Sequence, residues 1–162
     1  MEFDKALKHL LKAEGGLVDH PNDPGGITKY GISLRAYPDL GADGIRKLTI
    51  QTVGPIYKTD YWDPCHIDEL PEFMQYIVFD CAVNQGVSFA CKTLQKAVGA
   101  VQDGSIGPNT LKAIQRASGR AMLHKYSKER AYRYMSNRNW ITFGHGWMSR
   151  LVESIIITQE AL

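Results

Sequence analysis

Between Gly15 and Gly31 the chain carries five glycines and two prolines. No helix interior tolerates that density, because glycine adds backbone entropy and proline removes an N–H from the hydrogen-bond ladder. A loop or short hairpin is forced on this stretch, and what flanks it reads as helix. Phe3, Leu7, Leu10 and Leu11 recur at helical spacing with Lys5, Lys8 and Lys12 opposite, predicting an amphipathic helix from residue 2 to about 13. Beyond the loop, Ser33 is placed to cap a short helix, and a longer helical stretch is expected over Ile45 to Trp62 with a disturbance at Gly54-Pro55. Leu70–Asn84 and Val87–Val98 are apolar at helical spacing, separated by Gly86, which suits a helix end. Asp103 to Pro108 is a turn with Pro108 at the first position of the next helix. Ser118 precedes a basic helix over about 119–138, and a last helix is expected from about Gly146 onward. Nothing alternates long enough to demand a large sheet, so the class is mostly α with one small loop or β-hairpin after the first helix.

A chain of 162 residues fits one ordinary domain or a compact pair sharing a core. With 44% hydrophobic and 22% charged residues it has the balance of a water-soluble globular protein. No apolar run approaches the roughly 18 residues a membrane span needs. Residues 1–5 lack the basic and apolar regions of a signal peptide, so the expected start is cytoplasmic. Cys65, Cys81 and Cys91 are odd in number and form no CxxC, which favours buried, reduced thiols over a disulfide framework or zinc ribbon. The net charge of +2 is unevenly spread. Residues 1–110 hold 10 Lys and Arg against 14 Asp and Glu, whereas residues 111–162 hold 9 against 3. A basic C-terminal third favours an anionic partner, with a solvated helix face as the plain alternative.

Glu14 lies where the apolar side of the first helix meets the loop. An apolar neighbourhood raises a carboxyl pKa, and a glycine-rich backbone lets a polymer approach. Those are the needs of a general acid in glycoside hydrolysis, which usually works with a second carboxylate that activates water or acts as nucleophile. The loop supplies Asp19 and Asp23 as candidates for that second group, with Thr28 close behind.

The ordered string formed by Glu14-Gly15-Gly16, then Asn22-Asp23-Pro24-Gly25-Gly26-Ile27-Thr28 and Lys29-Tyr30-Gly31-Ile32-Ser33, resembles the signature of the N-acetylmuramidases of glycoside hydrolase family 108. These occur in phage endolysins and related bacterial secretion-associated proteins. The resemblance extends through Tyr61-Trp62-Asp63-Pro64, Asp80, Asn84-Gln85-Gly86, the turn from Asp103 to Thr110, Gly146-Trp147 and Arg150. It implies a lysozyme-like, mainly helical fold that cuts the β-1,4 bond between N-acetylmuramic acid and N-acetylglucosamine of peptidoglycan. It also implies a catalytic domain over 1–92, a peptidoglycan-binding domain over 93–162, and Glu14 as the acid. Phage-type lysozymes space Glu, Asp and Thr with eight and then five residues between; here eight separate Glu14 from Asp23 but four separate Asp23 from Thr28. On that pattern Asp23 polarises water and Thr28 orients it, an inverting arrangement that calls for carboxylates about 6.5–9.5 Å apart. Asn-Asp-Pro-Gly is also an ordinary turn, and Asp19 is the alternative carboxylate. Release through a holin-type lesion, or dedicated secretion, would bring such an enzyme to the wall.

Tyr30 and Trp62 are candidates to stack on sugar faces, core packing being the simpler account of Trp62. Asn84 either hydrogen-bonds an N-acetyl group or caps its helix. No metal or other cofactor is implied: the five histidines form neither HExxH nor a close pair, which weakens a zinc amidase, and Cys65-His66 is a poor dyad for a cysteine peptidase. A wall-binding module without activity is the non-enzymatic alternative. Arg116, Arg120, Lys125, Lys128, Arg130 and Arg133, interleaved with Met122, Leu123, Tyr126, Tyr132 and Tyr134, suit anionic wall or outer-membrane polymers. No motif for reading bases accompanies them, so nucleic acid is not expected as a partner. A monomer is.

Overall fold

The computed structural model describes residues 1–13, 17 and 26–159. It separates into two compact units, one of residues 2–60 and one of Met1 together with the chain from residue 61 onward.

In the first unit, α1 (Phe3–Ala13) buries Ala6, Leu7, Leu10 and Leu11, the apolar stripe its spacing predicts. This face meets α3 (Ile50–Tyr57), where a Cβ on Gly54 would stand 3.5 Å from Leu7 Cδ2. Between them in the chain come the two-residue strands β1 (Thr28–Lys29) and β2 (Ile32–Ser33), antiparallel with Thr28 opposite Ser33. Tyr30 and Gly31 turn the hairpin with φ of 50° and 73°, the left-handed pair that a tight two-residue connection requires. Ser33 ends this hairpin, and its hydroxyl accepts the Ala36 N–H at 3.2 Å in a turn rather than capping a helix directly.

The single helix expected over Ile45–Trp62 is divided. α2 (Gly41–Lys47) stops at Leu48 because Thr49 opens α3 with a capping box: its hydroxyl accepts from Thr52 N–H at 3.3 Å, and Thr52 Oγ1 accepts the Thr49 N–H at 2.8 Å. Helix continues through Pro55, and the irregularity falls just after it, in a wide π-type turn at Lys58–Trp62.

The second unit is built around α4 (Glu72–Gln85), which is buried on nearly all sides from Met74 to Ala82. α5 (Val87–Val98), α7 (Gly119–Met135) and α8 (Trp140–Gln159) pack on it and on one another, and α6 (Pro108–Arg116) lies against α5. Residues 93–159 therefore share a core with residues 61–92. Gly86 ends α4 and opens α5 at φ 95°, a conformation suited to glycine. The turn before α6 is organised by buried Gln95, whose amide donates to Asp103 Oδ1 at 2.7 Å and accepts from Gly104 N–H at 2.9 Å. All three cysteines are free and buried, with Cys65 and Cys91 sulfurs 3.5 Å apart. No helix of the described residues is long and apolar enough to cross a membrane.

Candidate functional site

Glu14, Asp19 and Asp23 lie outside the described residues. The structure does describe what borders them: α1 ends at Ala13, immediately before Glu14, and β1 begins with Thr28. Thr28 is half-buried, and its hydroxyl donates to Gly26 O at 3.2 Å, fixing the side chain against the backbone of the loop's last turn.

Tyr30 shares this hairpin. A non-glycine residue at φ 50° is uncommon, and it is held there by Tyr57, whose buried hydroxyl donates to Tyr30 O at 2.9 Å. Lys29 Nζ lies 5.6 Å from the Tyr30 ring centroid and donates to Arg46 O at 2.7 Å, tying the hairpin to α2. The hairpin thus presents a half-exposed aromatic ring and an oriented hydroxyl on a braced backbone.

Trp62 does not fit the role of a sugar platform. It has no exposed surface, its ring meets Phe79 edge-on with centroids 5.2 Å apart, and its indole N–H donates to Asp68 Oδ1 at 2.9 Å. It belongs to the core of the second unit because burying a large ring with a satisfied N–H is strongly favourable there.

Asn84 neither caps α4 nor stands free. Its Oδ1 accepts a hydrogen bond from the Tyr134 hydroxyl. That hydroxyl accepts in turn from Arg130 Nη2 at 3.4 Å. Burial pushes the Tyr134 pKa up, with Arg130 opposing, so the hydroxyl keeps its proton and remains a donor. Arg130 is wholly buried, pairing with Asp80 Oδ2 at 2.7 Å, while Arg150 Nε reaches the other Asp80 oxygen at 2.8 Å. Gln85 completes the cluster by accepting from Arg130 Nε at 3.0 Å and donating to Arg130 O at 3.2 Å. Arg130, read from sequence as part of a charged outer face, is instead the polar centre of the helical core. Asn84 also lines a pocket of about 180 Å³ with Gln85, Arg133, Tyr134, Asn137 and Trp147.

The sequence profile described as Glycosyl hydrolase 108 matches residues 7–86, from α1 to the end of α4. Among solved structures, that of Brucella abortus SagA superimposes with a TM-score of 0.86 at 34% sequence identity, covering 98% of this chain and 94% of that one. The chain belongs to glycosyl hydrolase family 108. No curated protein matches it.

This family 108 member has a lysozyme-like, mostly α fold, with its small hairpin after the first helix. Membership makes it a glycoside hydrolase. The profile's span contains Glu14, the glycine-rich loop and the Thr28–Tyr30 hairpin, along with Asp80 and Asn84 of α4. Sequence reading overlooked the pocket built on Asn84 by Arg133, Tyr134, Asn137 and Trp147. The signal was faint: Gly146-Trp147 and Arg150 lay in the family-like pattern, but nothing in the spacing joined them to a tyrosine thirteen residues upstream of Trp147.

Proposed function

We propose that this glycoside hydrolase is a peptidoglycan N-acetylmuramidase, cleaving the β-1,4 bond between N-acetylmuramic acid and N-acetylglucosamine. The observation that carries the reading is the ordered motif from Glu14 through Ser33, seated within the family match between an amphipathic helix and a braced hairpin. Glu14, next after the apolar end of α1, donates a proton to the leaving glycosidic oxygen. Asp23 polarises the attacking water and Thr28 orients it. Support for Thr28 is its fixed hydroxyl, which can accept from water while donating to Gly26 O. Tyr30 lends its ring to a sugar face, and the Asn84 amide N–H meets an acyl oxygen of the glycan strand. Residues 93–162 add a wall-binding surface through the exposed cations of α6 and α7.

The test is reducing-end release from purified peptidoglycan, with mass spectrometry of the products. Glu14→Gln is expected to lose about 10²–10⁴-fold in kcat, the worth of a positioned general acid. Undiminished activity in that variant, or new free amines in place of reducing ends, would remove the muramidase assignment.

A further inference from the structure

The pocket on Asn84 has an unusual bonding balance. Among the described residues, every side-chain acceptor in its lining is already engaged. Asn84 Oδ1 takes the Tyr134 hydroxyl, Gln85 Oε1 takes Arg130 Nε, Asn137 Oδ1 takes the Asn139 N–H at 2.9 Å, and the Tyr134 oxygen takes Arg130 Nη2. Donors remain. The chain from Arg130 through Tyr134 sets the direction of the Asn84 amide, because an oxygen must face that hydroxyl and the NH₂ must therefore turn away from it. The Arg133 side chain makes no hydrogen bond to a described residue; its guanidinium lies over the Phe89 ring at 4.2 Å, which leaves the fork of N–H groups along its edge available. The Trp147 ring stacks on Tyr134 at 5.4 Å and meets Phe143 at 5.9 Å, which holds it in the pocket wall.

Charge points the same way. Among the described residues, no Asp or Glu lines this pocket, nor the adjoining depression of about 330 Å³ that shares Gln85 and Arg133 and adds Lys92. A lining of donors around one guanidinium calls for a ligand group that only accepts and carries negative charge. At about 180 Å³ the pocket has the volume of roughly six liquid waters, enough for a carboxylate with a few attached heavy atoms.

We infer that the pocket formed by Asn84, Arg133, Asn137 and Trp147 binds a carboxylate of the peptide stem carried by the wall's muramic acid. The inference rests on peptidoglycan being the substrate. Arg133 takes the carboxylate, Asn84 and Asn137 donate to its oxygens or to the adjacent acyl oxygen, and the Arg130–Tyr134 chain positions Asn84. The site would make the enzyme favour strands that bear peptides over bare glycan.

The probe is N-acetylmuramoyl-L-alanyl-D-glutamic acid, which contains no bond for a muramidase to cut. Binding is followed by NMR on the intact protein, through the side-chain amides of Asn84 and Asn137 and the Trp147 indole N–H. The free acid should shift these signals, its dicarboxamide should bind at least fivefold more weakly, and Arg133→Gln and Asn84→Asp should each weaken binding at least tenfold. Preserved dispersion of the remaining spectrum establishes that the variants are folded. Absent or misplaced shifts, equal binding of acid and amide, or equal shifts with inorganic phosphate or an N-acetylglucosamine oligomer would each overturn the assignment. Because no hydrolysis is read, a failure of binding here is distinguishable from a failure of the Glu14→Gln experiment.

Discussion

At the scale of single residues, the strongest statement the fold makes is at Asp80. Its two oxygens each hold an arginine of the helical unit, and removing it takes the carboxylate away from the wholly buried Arg130. Asp80→Ala is expected to destabilise the protein by about 3–5 kcal/mol, the cost of an uncompensated buried charge, read from urea denaturation midpoints. Lys96→Ala, which breaks the exposed pair with Glu129 at 2.7 Å, should change stability by less than about 1 kcal/mol. Equal effects from the two would mean that the buried cluster is solvated in solution. In the sequence Asp80 stood out only as a carboxylate in an apolar helix and as one position of the family-like pattern, neither of which names its partners. A buried carboxylate needs partners, but which of the nine cations of the C-terminal third would supply them depends on how α7 and α8 rotate onto α4.

Elements were the most legible scale. α1, α4, α5, α6 and α7 fall close to where their apolar spacing and caps predict, because each buries one stripe or, for α4, nearly its whole circumference. Two boundaries moved, for local reasons. The break between α2 and α3 is set by the reciprocal Thr49–Thr52 cap, a signal the sequence contains but one weaker to the eye than Gly54-Pro55. Thr49→Ala should cost about 1 kcal/mol in thermal or urea unfolding, with Thr49→Ser nearly neutral. Serine costing as much as alanine would contradict the cap. At the other boundary, α8 begins at Trp140 rather than near Gly146. Gly144 does not break it: the Trp140 ring folds back over that position, where a Cβ would come within 2.6 Å of the indole, so the helix needs a residue without a side chain there.

Over the whole molecule, the basic character of the C-terminal third survives folding in part. Lys112, Arg116, Arg120, Lys125, Arg133 and Arg138 are exposed, whereas Arg130 faces inward. Binding to insoluble wall should therefore weaken steadily between low salt and about 0.5 M, and charge reversal at Lys112, Arg116 and Arg120 should flatten that dependence. A salt-independent pull-down would count against these cations as the wall-facing surface. The sequence by itself determined the helical class, the hairpin and the ordered motif around Glu14, because periodicity, backbone restriction and a contiguous string are local properties that any window of chain reveals. Only the tertiary structure decided that Trp62 and Arg130 are interior and that Asn84 is turned by Tyr134 into a donor-lined pocket. Those outcomes depend on which faces of distant helices meet. Burial energy selects that pairing through the shape and hydrogen-bonding of whole surfaces, and no spacing along one strand of sequence encodes it.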